Sequence, residues 1–299
     1  MRQSIADMPV EGITAEEEYL KNPDLKREDI VMLNEWVKTQ EQLPPISEAK
    51  LILFHHSCYY EMEATKSCIL VYYRMRKNTP EFFWNRDVTS PELKESCKVL
   101  YGACLPLRDP NGYYITYLAL QDYDYSKFKL GDAVKLVFMA VDAILNCEGT
   151  SPGHIVLINI EGARLGHLTK FTPRLVKKLF EFIQEGIPIR LKAIHVINSF
   201  SIVDKFMILA RPFIKKELLE ILHFHYGGFE EVHKVLPKYC LPSDFGGELQ
   251  SCAELHEKFV EWMAKLAPTF LEEQKEIHGG ATTPTTPTSS TWSNWFPFT

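Results

Sequence analysis

The run from Ile187 to Asn198, Ile-Pro-Ile-Arg-Leu-Lys-Ala-Ile-His-Val-Ile-Asn, limits the fold of this 299-residue chain more than any other segment. It opens with apolar and charged residues alternating and closes almost wholly apolar, the pattern of a strand that leaves a wet edge for a packed sheet. Alternation places Arg190 and Lys192 on one face. The next segment, Ser201 to Ile214, repeats Ile202, Phe206, Leu209 and Phe213 at three- and four-residue steps, which is one apolar stripe on a helix. Pro212 kinks or ends that helix. Between Ile187 and Lys216 six Lys or Arg stand against one acid, Asp204, although the whole chain carries a formal charge of -6.

Upstream, Ile30, Leu33, Trp36 and Val37 keep helical spacing, Pro44-Pro45 breaks it, and further helices follow Ser47 and span Glu61 to Arg76. Pro80 to Pro91 reads as a linker. Strands are expected at Tyr113–Leu120 and His154–Ile160, and helices at Asp132–Leu145 and Thr172–Gln184. Alternating β and α segments of these lengths imply a sheet covered by helices. Chain length and a hydrophobic content of 45% allow a large core. No apolar run approaches the roughly 20 residues that span a bilayer, and the first ten residues lack the apolar centre of a signal peptide. Seven cysteines (58, 68, 97, 104, 147, 240 and 252) without CxxC spacing read as free thiols in a reducing compartment. From Gly279 the chain turns into a Thr/Pro/Ser stretch followed by Trp292–Phe298, a composition that cannot join a packed core.

Several strings resemble one family. IPIRLKAIHVINSF, ARPFIKKELLEILHFH and LPSDFGGE (Leu241 to Glu248) are similar to the CRAL-TRIO, or Sec14-like, lipid-transfer domain, in its α-tocopherol transfer protein and retinaldehyde-binding branch. LNEWVKTQEQLPPI (Leu33 to Ile46) resembles the family's N-terminal helical module. YYRMRKNTPEFFWNRD (Tyr72 to Asp87) resembles its linker as found in insect members. NIEGARLGHLTKFTP (Asn159 to Pro173) resembles the strand and turn before the pocket helix. The resemblance covers roughly residues 30 to 250 with motif order kept. It implies a helix-covered mixed or parallel sheet enclosing an apolar lipid cavity, preceded by a small helical bundle. The expected division is 1–28 a flexible or first-helix N-terminus, 29–90 the helical module and linker, 91–253 the lipid-binding domain, 254–278 a C-terminal helix, and 279–299 a disordered tail.

On spacing alone, an apolar position is more often core than ligand contact. The resemblance is what implies a cavity, walled by Val134, Val137, Val141, Leu157, Leu179, Phe182, Ile183, Ile187, Leu191 and Ile194. A lid at residues 201 to 213 adds Ile202, Phe206 and Leu209. Positions 137 and 141 are Val where the tocopherol-binding branch has small hydroxyl residues, which speaks against water-bridged recognition of a chromanol head group. Tyr117, Tyr123, Asn159 and His195 are polar anchor candidates; a buried Tyr or His satisfying a backbone group is an equal reading.

Arg190, Lys192, Lys215 and Lys216 form a candidate membrane face, and each basic residue near an anionic surface contributes about 1 kcal/mol. Read without the family, these are solvated strand and helix ends. The resemblance favours Arg190 and Lys192, because phosphoinositide-binding members of the tocopherol branch carry basic residues there. Glu217, Ile221 and Ser67 stand where those members have further cations, and Lys66 is a substitute nearby.

No GxSxG elbow, HExxH helix or Gly-rich phosphate loop occurs, so no enzyme is expected. His223-Phe-His225 and Asp122-Tyr-Asp124 lack further ligands at metal spacing. No cofactor and no nucleic acid are expected as partners, given the negative net charge. The expectation is a monomeric cytoplasmic protein, peripherally membrane-associated, that binds and transfers a tocopherol, retinoid, carotenoid or similar isoprenoid. Its partners are that lipid and an anionic membrane surface with its phosphoinositides. The alternative is a phosphoinositide-dependent recruitment or signalling module without net transport.

Overall fold

The computed structural model describes residues 5, 8–198 and 202–279; the Thr/Pro tail and the segment 199–201 lie outside the described residues. The N-terminal part is helical: α1 (Ala15–Lys21), α2 (Arg27–Lys38), α3 (Glu48–Ser57) and α4 (Met62–Asn78). Each start has a local cause. Thr14 caps α1 in a reciprocal box with Glu17, and Ser47 accepts from the Lys50 amide to begin α3 just past the Pro44-Pro45 break. The linker is bounded by short helices, because proline at the first helical position starts both α5 (Pro80–Phe83) and α6 (Pro91–Cys97).

The sheet follows with β1 (Leu100–Cys104), β2 (Tyr114–Leu120), α7 (Leu130–Glu148), β3 (His154–Asn159), α8 (Leu165–Leu168), α9 (Pro173–Glu181) and β4 (Leu191–Ile197). Then come α10 (Ile202–Ala210), α11 (Lys216–Glu220), β5 (Leu222–His225), α12 (Phe229–Val232) and α13 (Cys252–His278). The short strands β1 and β5 were not expected. The helix foreseen over Thr172–Gln184 relaxes at its end into a π turn, Phe182–Gly186, and Pro212 stops α10 with one 3-10 turn.

Strand order is β1-β2-β3-β4-β5, antiparallel between β1 and β2 and parallel thereafter. The order never reverses. Right-handed crossovers that always step in one direction put α7, α9 and α10 on the same face. The opposite face is packed by Leu241, Phe245, Leu255 and Phe259, which join Ile115, Tyr117, Ile155 and Leu157 in the main core. α13 runs along β1 and reaches α4 and α7.

A buried charge network joins the helical module to this frame. Arg76 and Arg86, each 1% exposed, both bridge Asp142 of α7 and Glu273 of α13, with contacts between 2.5 and 3.0 Å. Lys50 also pairs with Glu273. Three cations and two acids drawn from α3, α4, the linker, α7 and α13 fix these elements together, since removing one partner strands a buried charge.

Candidate functional site

Between the sheet and α7, α9 and α10 lies a cavity of about 280 Å³. The strands supply its floor by alternation: Leu118 and Leu120 of β2, Val156 and Ile158 of β3, Leu222 and Phe224 of β5. Leu100 of β1 adds an edge. Leu191, Ile194 and Val196 of β4 complete the floor, and alternation alone would not let Leu191 and Ile194 share a face. A bulge resolves this, because Leu191 pairs with His154 and Ala193 with Ile155, leaving Lys192 as the extra residue.

The walls are Leu130, Val134, Val137, Phe138 and Val141 of α7, with Leu179, Phe180, Ile183, Ile187 and Ile189. Ile202, Val203 and Phe206 of α10 close one side. Phe206 meets Phe171 edge-on with ring centroids 5.2 Å apart, and Phe171 stacks on Phe128, so an aromatic row extends from α10 along the cavity. Among the described residues no Lys, Arg, Asp or Glu lines it, and its polar members are Asn159 and His167.

Of the residues expected in the wall and its cover, Val134, Val137, Val141, Leu179, Ile183, Ile187, Leu191, Ile194, Ile202 and Phe206 are brought together around this space. Leu157, Phe182 and Leu209 lie elsewhere. Leu157 alternates with Val156 and Ile158 and so faces the opposite side of the sheet, fully buried. Phe182 turns toward the helical module, its ring 4.7 Å from Phe83, 4.8 Å from Phe138 and 6.0 Å from Tyr72. Leu209 is one step off the inward stripe of Val203, Phe206 and Ala210 and packs at the margin of the cluster beneath α10. Ile208 projects outward at 79% exposure.

The polar anchor candidates divide in the same way. Tyr117 and His195 belong to the opposite face: the Tyr117 hydroxyl donates to the Cys252 carbonyl at 2.8 Å, and His195 Nδ1 lies 2.9 Å from His225 Nε2. Burial, then the neighbouring His225 and His223, pushes His195 down to about 4. Tyr123 is exposed. Asn159 does line the cavity, with its Oδ1 accepting from the Glu161 amide and from Asn198. His167 carried no sequence signal beyond its place in the turn after β3.

The cationic residues fall into two settings. Arg190 donates from Nε to the His56 carbonyl at 2.9 Å and stacks its guanidinium 4.2 Å over the Tyr59 ring. Lys192 donates to the Tyr59 hydroxyl at 2.9 Å. Tyr59 and Tyr60 hold φ of 54° and 65°, a left-handed pair unusual for bulky side chains, and this places Tyr59 between the two cations. Among the described residues no carboxylate pairs with Arg190 or Lys192. Lys215 and Lys216 differ, bridging Glu185 at 2.8 Å and Glu220 at 3.7 Å.

His223 stacks on His195, and His225 approaches Glu231 at 3.7 Å. Among the described residues no cluster of three or more His, Cys, Asp or Glu is arranged to hold a metal ion. Nor is any described helix long and apolar enough to cross a membrane.

The fold and site define an α/β protein built round an internal apolar cavity, with a helical module in front. Residues 99–247 match the CRAL/TRIO domain, and residues 22–93 match the Pinta-like UBA domain. The chain belongs to the CRAL-TRIO family, whose members bind and transfer lipids. It is 24% identical over 238 residues to a human protein named alpha-tocopherol transfer protein-like, covering 78% of this chain and 68% of that one. Mouse clavesin-2 is 23% identical over 235 residues, covering 78% and 72%. The crystal structure of Sfh5 superposes with a TM-score of 0.51 at 12% identity, over 87% of this chain and 96% of that one, which shows the Sec14-like fold. An insect origin does not follow from these matches.

Proposed function

We propose that this protein carries one hydrophobic molecule at a time between membranes, enclosed in the cavity, with α10 as the moving lid. The observation that carries this reading is a cavity of about 280 Å³ with no charged lining among the described residues, closed on one side by a helix that leaves Ile208 exposed to solvent. Removing a hydrocarbon chain from water gains roughly 25 cal/mol per Å² without demanding directional contacts. Enclosure requires an opening, and an open α10 presents Phe206, Leu209 and Phe213 beside the already exposed Ile208, a surface suited to a bilayer. Gln184 supports the far end of this segment, donating to the carbonyls of Phe180 and Phe213 and accepting from the Lys215 amide. The cavity residues and α10 act together in this scheme, and no side chain is assigned to catalysis.

Arg190, stacked on Tyr59, and Lys192, donating to its hydroxyl, have no acid partner among the described residues and would draw the protein to anionic head groups, phosphoinositides included, in a salt-sensitive way. The pair also supports the second reading, a recruitment module without net transport. Native mass spectrometry with lipid identification, on protein from its own tissue, separates the two. A stoichiometric neutral isoprenoid or polyene supports the carrier, and copurifying phosphoinositide with no cavity ligand supports the module. The lid is tested by Phe206→Asp with Leu209→Asp in a liposome extraction assay. Extraction should collapse, and an unchanged rate would refute the lid.

A further inference from the structure

We propose that His167 is the head-group anchor of this cavity and that the cargo is a neutral lipid bearing a hydrogen-bond-accepting oxygen near one end. The inference rests on the carrier reading above.

His167 lines the cavity and is 4% exposed. Its Nδ1 accepts from the Arg164 backbone amide at 3.0 Å. A backbone amide only donates, so Nδ1 carries the lone pair and the proton of the neutral ring sits on Nε2. Burial pushes the ring's pKa down, which keeps it neutral. Nε2 is buried with no hydrogen-bond partner among the described residues. The nearest surroundings are aromatic: Phe128 lies 5.4 Å away and Tyr125 6.2 Å, both edge-on. An N–H against an aromatic face is a weak partner, and a ligand oxygen outcompetes it.

The other polar lining residue, Asn159, already engages its oxygen twice. With no charged side chain among the described lining residues, a carboxylate or phosphate would be desolvated against neutral donors alone, whereas an alcohol, ketone, aldehyde or ester oxygen would be satisfied by the His167 N–H. His167 follows the C-terminal end of β3, while Ile187, Ile189 and Leu191 line the cavity before and at the start of β4, which is parallel to β3. The oxygen therefore sits at the strand C-terminal end and the hydrocarbon runs toward Ile187.

The experiment compares uptake of two chain-matched probes, hexadecan-1-ol and hexadecane, from phosphatidylcholine vesicles by the full chain and by His167→Phe and His167→Gln. The preference for the alcohol should fall about three- to tenfold in His167→Phe, the worth of one neutral hydrogen bond, with hexadecane uptake unchanged. His167→Gln, which keeps an N–H donor, should restore much of it. Equal preference in all three proteins would overturn the anchor while leaving the carrier reading intact. Uptake of neither probe by the unaltered chain would sink the carrier reading and the anchor together. If His167→Phe does not fold, nitrogen NMR of the His167 ring decides: Nε2–H should shift with hexadecan-1-ol and not with hexadecane, and a resonance unmoved by both refutes the anchor.

Discussion

Alternate residues of the same strands make two faces of one sheet, and the two faces are finished in opposite ways. The face away from the crossover helices carries a row that is polar at three of its four positions, Tyr117, Leu157, His195 and His223, aligned across four strands by register. Its polar members are matched, Tyr117 with Cys252 and His195 with His225 and the stacked His223. Aromatic stacking of Phe245 with Phe229 at 4.8 Å fills the space above it. The cavity face carries Leu118, Val156, Ile158, Ile194 and Phe224, with a void where interdigitation would otherwise close the layer. The comparison teaches that polar residues mark the face that is packed shut here, because buried polar groups require fixed partners, and an adaptable apolar floor has none to offer.

The difference breaks most strongly with acid. His154, fully inside at the start of β3, is pushed down to about 3 by burial and then by Arg108, and His195 down to about 4. Both folded-state values lie below the ordinary 6.5. The unfolded chain therefore takes up the protons first, and stability is full above about pH 6.5 and lost as pH falls toward the folded values. Each ring removes up to about 1.4 kcal/mol per pH unit within that window, and His56, also pushed down to about 3 by burial, adds to them, so the unfolding free energy from urea titrations should fall by at least about 3 kcal/mol per unit from pH 6 to 5. A flat profile would show that these rings are not held neutral in the packed sheet.

Neighbouring positions on β3 give the next largest contrast. Leu157→Ala should cost about 2–5 kcal/mol in denaturant unfolding, as a filled site that cannot collapse. Ile158→Ala, only half-buried on the cavity face, should cost about 1 kcal/mol and instead alter ligand uptake. Equal costs would mean that the cavity face is packed like its opposite.

The overall architecture was legible because helical and strand periods alternate at crossover length, and the family strings kept their order. The two faces were less so. The sequence of His154–Asn159 is apolar almost throughout, so it has no alternation to say that Val156 faces the cavity and Leu157 does not. Phe182 was misplaced because a π turn, invisible to a 3.6-residue count, rotates the end of α9 toward Phe83. Leu222-His-Phe-His225 does carry a two-residue period, but over four residues it is too short to be told from a turn, and β5 was not expected. His167 had no such signal, since a histidine in a Gly-rich turn becomes distinctive only once its Nδ1 partner is known.

Filling the void tests the cavity face directly. Val137→Trp should reduce uptake of a hydrophobic probe at least tenfold while shifting unfolding by less than about 1.5 kcal/mol, because added volume enters existing space. A large loss of stability would instead indicate an overpacked core with no usable void.

The smallest expected effect concerns the residue that escapes both faces. The bulge leaves Lys192 outside the alternation, and its stem passes so close to Gly153 that a Cβ there would lie 2.5 Å from Lys192 Cγ. Glycine at 153 thus lets the ammonium reach Tyr59 beside Arg190. Lys192→Gln should weaken binding to phosphatidylserine vesicles by about 1 kcal/mol and flatten its salt dependence, with probe uptake into the cavity unaltered. Lys216→Gln should do less, since Lys216 is paired with Glu220 and its charge is already partly compensated. Equal effects at the two positions would mean that membrane attraction follows net charge alone, and the bulge that delivers Lys192 to Tyr59 would then serve only the packing of β4.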